Sequence, residues 1–247
     1  MSEPFDLVEQ LRNQARTLGG DLFGVADLSP AQHLVREQGG EMIAQFPRAL
    51  SLGVVMPFAI VDQLPRHRVT AVALAYKAHS YSTLNERLDQ IASRLASQIQ
   101  HAGYLAFPVR ASQVVDENKL HGHFSHKLAA HLAGLGWIGK SCLLVTPQVG
   151  PRVRWATILT DAPFPTGTPM EERCGLCTEC VDACPVSAFT GRSFDPSEPR
   201  AARFEAQKCD DYLDRHRRIP DLELSVCGMC VFVCPYGRQG HPANLNP

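Results

Sequence analysis

The chain has 247 residues, 45% of them hydrophobic and 20% charged, with a formal net charge of -1. That is enough apolar material for one large domain or a middling domain with a small appendage, and the charge balance gives no reason to expect general nucleic-acid binding. The first residues contain no basic and apolar leader and no twin arginine, and no apolar run approaches the ~20 residues needed to span a bilayer, so a cytoplasmic protein without membrane contact is expected.

In chain order, Ser2 can cap a first helix with Pro4 in its opening turn and Val8, Leu11, Ala15 and Leu18 on one face; Gly19 and Gly20 stop it. DLFGVADL (21–28) reads as a strand, and LSLGVVMPF (50–58) as a near-continuous apolar run suited to a central strand. VTAVALAY (69–76) is a third strand candidate. The clearest helix is 83–102, with Thr83 and Glu86 as a capping box and Leu84, Leu88, Ile91, Leu95 and Ile99 in one stripe. Gly103 ends it and YLAFPV returns as a strand.

HGHFSHK (121–127) then places three histidines just before a helix over 126–135, capped by Ser125 and facing Leu128, Leu132 and Leu135 inward. Such a segment could bind metal, donate protons near neutral pH, or simply form a helix entrance bonded to backbone. A zinc site is the weakest of these, because no carboxylate or cysteine partner stands at suitable spacing. CLLVT (142–146) and VRWATIL (153–159) read as a strand pair around PQVGPR. Residues 1–165 thus form an α/β domain, and after the proline-rich stretch 163–169 a cysteine-rich, loop-rich domain of residues 166–247 begins. So short a segment buries little apolar area and needs bound metal to fold.

Of nine cysteines, Cys142 stands apart and eight lie between 174 and 234. The first run is Cys174, Cys177, Cys180 and Cys184-Pro185; the second is Cys227, Cys230 and Cys234-Pro235, preceded by Cys209. Three closely spaced thiolates reach three corners of an iron–sulfur cube, and the cysteine before proline ligates the other cluster. The spacing therefore predicts two 4Fe–4S clusters in crossed fashion, one on Cys174, Cys177, Cys180 and Cys234, the other on Cys209, Cys227, Cys230 and Cys184. Zinc is the competing reading, but a zinc site has no use for the Cys-x3-Cys-Pro continuation. Each loaded site carries about -2, which takes the protein to a net charge of about -5. Arg215, His216, Arg217 and Arg218 form a basic run that is either a solvated helix end or a docking site for a redox partner.

AGLGWIGKSCLLVTPQVGPRVRWATILTD (133–161) with the double-cluster module resembles the epoxyqueuosine reductase family and its relatives, the corrinoid-dependent reductive dehalogenases. LGGDLFGVAD, the VVMP strand and the Tyr76/Tyr81 segment extend the resemblance over nearly the whole chain. It implies a nitroreductase-like α/β domain holding cobalamin and a C-terminal ferredoxin-like double-cluster domain. It also implies an external donor, such as ferredoxin or flavodoxin, whose electrons pass through the clusters to cobalt and on to a small or nucleoside-like substrate. Tyr76, Tyr81, Gly136, Lys140, Ser141 and Cys142 become cofactor-binding candidates.

Two departures accompany the resemblance. Leu120 occupies the position where these reductases keep a proton-donating aspartate, which makes His121, His123, His126 and Asp116 the candidate catalytic residues. The chain also ends soon after the last cluster motif, so tRNA is expected to be an unlikely partner and the substrate to differ. The rival expectation is an electron-transfer or corrinoid-reducing protein that serves a partner protein without turnover of its own.

Overall fold

The computed structural model of the protein describes residues 4–116, 120–215 and 225–240. Ser2, His216, Arg217 and Arg218 lie outside them. In chain order the elements are α1 (Pro4–Thr17), β1 (Leu22–Asp27), α2 (Gln32–Ala44), β2 (Arg48–Val55), α3 (Phe58–Val61), α4 (Thr70–Ala75), a π-helical segment (Tyr76–Thr83) and α5 (Leu84–His101). β3 (Ala106–Val109), α6 (His126–Leu132), β4 (Trp137–Ile138), β5 (Leu144–Val145), β6 (Val153–Thr160), α7 (Glu179–Asp182), α8 (Ala206–Arg215), α9 (Met229–Phe232) and α10 (Pro235–Gln239) follow. Among the described residues no helix is long and apolar enough to cross a membrane.

The fold is a mixture of helices and strands in two compact units that interleave in sequence. One comprises Met1–Val54, Asn85–Trp137 and Arg154–Glu171; the other comprises Val55–Leu84, Ile138–Val153 and Glu172–Pro247. The stretches Val55–Leu84 and Ile138–Val153 thus cluster with the cysteine-rich segment.

The first unit is built on a four-stranded sheet of order β1-β2-β6-β3. β1 runs antiparallel to β2, with Leu22 opposite Gly53 and Asp27 opposite Arg48. β3 runs antiparallel to β6, with Ala106 opposite Thr160. Successive residues of the two inner strands are buried: Ala49 to Val54 in β2 and Trp155 to Thr160 in β6. Burial without alternation means that both faces of the sheet are covered. The α5 stripe supplies part of the core, for Leu84, Leu88, Ile91, Leu95 and Ile99 are each 2% exposed or less. Each such side chain contributes about 1.5–3 kcal/mol on burial. Leu7, Val8, Leu11 and Ala15 of α1 are buried too: Leu7 joins the expected stripe, while Leu18 falls outside it, half-buried just past the end of the helix.

The second unit has little regular structure. β5 is two residues long and pairs with β4, so the expected hairpin between CLLVT and VRWATIL does not form. Its physical cause is Cys142, whose φ of 54° bends the chain out of extended conformation just before β5. Buried Arg152 pairs with Asp62 at 2.8 Å and lies over the Phe58 ring, while its carbonyl accepts from the Met56 N–H at 2.8 Å. α9 packs on α7 and on the turn at Leu64–Arg66. His67 Nε2 lies 3.3 Å from the hydroxyl of buried Tyr212 in α8.

Two further expectations change. VTAVALAY forms α4 and opens the π-helical segment rather than a strand. Its alanines favour helix, and an apolar run this short suits either state. The chain then enters α5 without a break, so the Thr83–Glu86 capping box does not form: Thr83 Oγ1 donates to the Ala78 carbonyl at 3.0 Å. Ser125 stands at the N-cap of α6 without a side-chain cap hydrogen bond, and the helix ends at Leu132, ahead of Gly134 at φ 75°.

Leu88→Ala should lower unfolding stability by about 3 kcal/mol. Leu74→Ala should change it by less than about 0.5 kcal/mol, because Leu74 is 39% exposed on α4. Equal losses in urea titrations would return 69–76 to a buried strand.

Candidate functional site

The cysteine-rich segment presents its thiols through repeated local geometry. Gly175 and Gly228, the second residues of Cys174-Gly-Leu-Cys177 and Cys227-Gly-Met-Cys230, have φ of 51° and 70°. A side chain would strain that left-handed turn. The Cys177 N–H donates to the Cys174 carbonyl at 2.9 Å and closes the first loop. Pro235 opens α10 directly after Cys234, where its missing N–H costs no helical bond.

The thiols fall into neighbourhoods. Burial, then repulsion from Cys174, Cys234 and Cys177, pushes the Cys180 thiol up to about 11. Burial, then Cys227 and Cys184, pushes Cys209 up to about 11. Burial raises Cys230 further, with Cys227 and Cys209 ahead of Cys180 and Cys184 among its repelling neighbours. Backbone N–H groups also reach sulfur: Ala188 donates to Cys184 Sγ at 3.3 Å, Met229 to Cys227, and Gly237 and Tyr236 to Cys234. Such donors stabilise thiolates and suit iron–sulfur ligation. Among the described residues no group of three or more His, Cys, Asp or Glu closes around a point where one metal ion could sit.

The cofactor-binding candidates are mostly engaged in packing. Tyr76 donates from its hydroxyl toward Met56 Sδ at 3.7 Å, and Tyr81 stacks beneath Lys77 Nζ at 4.6 Å, both within the π-helical segment. Gly136 is buried, its carbonyl 3.2 Å from His131 Nδ1. Ser141 and Cys142 are buried. Lys140 is buried too, and its Nζ donates to the carbonyls of Gly175 at 2.6 Å and Cys177 at 3.2 Å. Lys140 thus holds the backbone of the first cysteine loop.

The three histidines of HGHFSHK do converge. In the first unit a cavity of about 380 Å³ is lined by Arg110, Gln113, Leu120, His121, His123 and His126, among others. Asp116 is not among its lining residues; its backbone pairs with His121, and Leu120 takes φ 50° beside that bridge. His121 Nδ1 lies 2.9 Å from the Gly122 carbonyl. His123 has no hydrogen-bond or ion-pair partner among the described residues.

His126 is a different kind of residue. Its Nε2–H donates to the Arg110 carbonyl at 2.8 Å, so Nδ1 accepts from the Thr157 hydroxyl at 2.8 Å. Burial, opposed by the Arg110 carbonyl bond and reinforced by Arg154, lowers its pKa from 6.5 to about 4. Both nitrogens are engaged and the ring is neutral at pH 7, so His126 is a poor proton donor and a good floor for the cavity. Arg110, Thr157 and Asp89, which accepts from the Ala111 N–H at 2.8 Å, escaped the sequence reading. Only the register of β3 with β6 could have announced Thr157 and Arg110.

Comparison with known proteins adds to this geometry. Residues 173–237 match the family of 4Fe-4S double cluster binding domains. The chain is 30% identical to an epoxyqueuosine reductase of Bacillus anthracis over 276 residues, covering 95% of this chain and 67% of that protein. It is 36% identical to that of Listeria monocytogenes serovar 1/2a (strain ATCC BAA-679 / EGD-e) over 134 residues, which are 54% of this chain and only 34% of that protein. Two solved structures are similar in fold. One is an epoxyqueuosine reductase with an epoxyqueuosine-modified tRNA-Tyr stem loop, with TM-score 0.60 and 21% identity over 99% of this chain and 70% of that one. The other is a reductive dehalogenase described as suggesting a mechanism for B12-dependent dehalogenation, with TM-score 0.71 and 20% identity over 99% of this chain and 33% of that one.

Burying His126 neutral has a pH signature. Between pH 6.5 and about 4 the unfolded chain binds a proton that the folded chain does not, so stability falls as pH falls through that window and is level above it. Moving from pH 7 to pH 5 should cost the parent about 2 kcal/mol that His126→Asn does not lose. Denaturant titrations at the two pH values check this; parallel losses in parent and variant would show that His126 protonates in the folded state.

Proposed function

The chain belongs to the epoxyqueuosine reductase family, and from that premise we propose that it is an iron–sulfur reductase of the cytoplasm. It takes electrons from an external donor of the ferredoxin or flavodoxin class through two 4Fe–4S clusters toward an epoxide-bearing nucleoside; a corrinoid, when bound, would supply the reducing centre. The observation that carries the reading is that all eight clustered cysteines fall within the double-cluster match at 173–237.

Cys174, Cys177, Cys180 and Cys234 would hold one cluster, and Cys209, Cys227, Cys230 and Cys184 the other. The neighbourhoods of Cys180, Cys209 and Cys230 support this crossing. When bound, the clusters supply one-electron storage and relay. The functional division remains that of residues 1–165 for substrate and corrinoid and 166–247 for electron entry. Support for the corrinoid is the fold shared with the B12-related dehalogenase structure, and no step described here runs through it.

The protein's own contribution is proton supply and orientation in the histidine-lined cavity. His126 holds its proton on Nε2 against the Arg110 carbonyl and keeps the cavity floor neutral. His121, tied through Nδ1 to Gly122, presents Nε2 as its free position in the neutral ring. His123 is the proposed donor, standing in for the family's aspartate at Leu120. The relative solved with a tRNA stem loop supports tRNA as the carrier of the reacting nucleoside, contrary to the expectation from the sequence.

Anaerobic reconstitution with iron, sulfide and cobalamin tests the reading. It should yield about eight irons per chain, falling to about four in Cys180→Ser and in Cys230→Ser. An epoxyqueuosine-bearing stem loop should be reduced under a low-potential donor, and His123→Gln should slow that by about 10²-fold with unchanged iron content. Iron without cobalamin retention or turnover would favour the rival reading, electron delivery to a partner protein. Full turnover in His123→Gln would remove that residue from the mechanism.

A further inference from the structure

Lys140 is the most unusual charge in the second unit. It is 9% exposed, and both groups it meets are neutral carbonyl oxygens, those of Gly175 and Cys177. It has no carboxylate partner among the described residues. A buried ammonium without a counter-charge is costly. Of the two carboxylates of α7, Glu179 is engaged by Arg238 and Asp182 accepts from the Thr178 hydroxyl at 2.7 Å. The backbone preceding Lys140 also runs against the cysteine loop: a Cβ on Gly139 would stand 3.3 Å from Cys174 Sγ.

We propose that the missing counter-charge is the iron–sulfur cluster held by Cys174, Cys177, Cys180 and Cys234, and that Lys140 is a positioning residue that raises the reduction potential of that cluster alone. The inference rests on the double-cluster reading given above. An oxidised 4Fe–4S site with four thiolates carries about -2, and one electron from the external donor takes it to about -3 with no bond formed or broken. A fixed positive charge gains more from the second state than from the first, so it favours reduction. Lys140 also pins two carbonyls of the loop, whose dipoles would otherwise be free to turn toward the sulfurs. Among the described residues the second cluster, on Cys209, Cys227, Cys230 and Cys184, has Arg68 near Cys227 but no buried lysine on its loop, and it should not respond to Lys140.

Potentiometric titration of the reconstituted full chain, followed by electron paramagnetic resonance, tests this. The parent must first show two reducible clusters; their absence would sink the double-cluster reading and this inference with it, whereas two clusters that ignore Lys140 would sink the inference alone. In Lys140→Gln one cluster should lose about tenfold in its reduced-to-oxidised ratio at a fixed potential, a shift of about 59 mV to lower potential. The other cluster should stay at its parent value, and Lys140→Arg should keep both. Lys140→Gln or Lys140→Met filling both sites with neither midpoint moved overturns the proposal. If those two variants fail to hold one cluster while Lys140→Arg holds it, the charge serves cluster retention and the proposed effect on the potential is overturned. Loss of the cluster in Lys140→Arg as well would show that side-chain shape, not charge, is what matters, and would also overturn it.

Discussion

Eight thiols gathered where almost nothing apolar is buried is the constraint on which the second unit depends. Within 172–240 the buried described residues are Ala188, Phe189, Arg203, Tyr212, Val231 and Gly237. One stacked pair, Phe189 on Phe204 at 5.1 Å, stands in for a core. The thiols raise one another's pKa and desolvation raises it further, so an array of bare thiolates would drive the segment apart. Iron reverses that sign, because each thiolate then meets a cationic core and metal binding becomes folding energy. The same need explains the interleaving. Val55–Leu84 and Ile138–Val153 bring Leu64 beneath Gly228, Arg152 beside Gly237 and Lys140 to the first cysteine loop.

How much of the fold could be read in advance follows from the range of the forces involved. α1 and α5 were legible because burial imposes a period on long helices, and β2 because a central strand covered on both faces is a continuous apolar run; the α5 stripe is buried as spaced. The 69–76 run was not, since a short apolar segment with alternating alanines satisfies strand and helix alike. The capping box misled for a related reason. Thr83 and Glu86 have the right spacing, but the preceding π-helical turns already satisfy the amides that a cap would serve. Cys142 hid a left-handed residue that no composition rule reveals, and with it the division of CLLVT from β6.

The site divides along the same line. Cluster ligands are legible because three ligands of the first cluster and two of the second come from single short loops, so most of their chemistry is written in local spacing. The histidines and Lys140 are not, because their partners are distant in sequence. His126 meets groups 16 and 31 residues away, and Lys140 meets carbonyls 35 and 37 residues away. Three histidines of one heptapeptide accordingly acquire three different fates: one locked neutral, one tied through a single nitrogen, one without a partner among the described residues.

Those fates match what each half of a reductase must do. Electron transfer is served by charges that do not change, since a fixed field sets a potential without reorganising when the electron arrives. A buried lysine bonded only to carbonyls is such a charge. Proton transfer needs a group that can change its charge near neutral pH, which a histidine does only if its nitrogens are not already committed. His126, with both nitrogens committed, cannot serve, and its neutrality removes a positive charge that would disfavour a second protonated imidazole in the same cavity. On the proposed reading, another imidazole of the cavity would supply the proton that the resemblance assigns to an aspartate at the position of Leu120, while His126 stays fixed and neutral beside it.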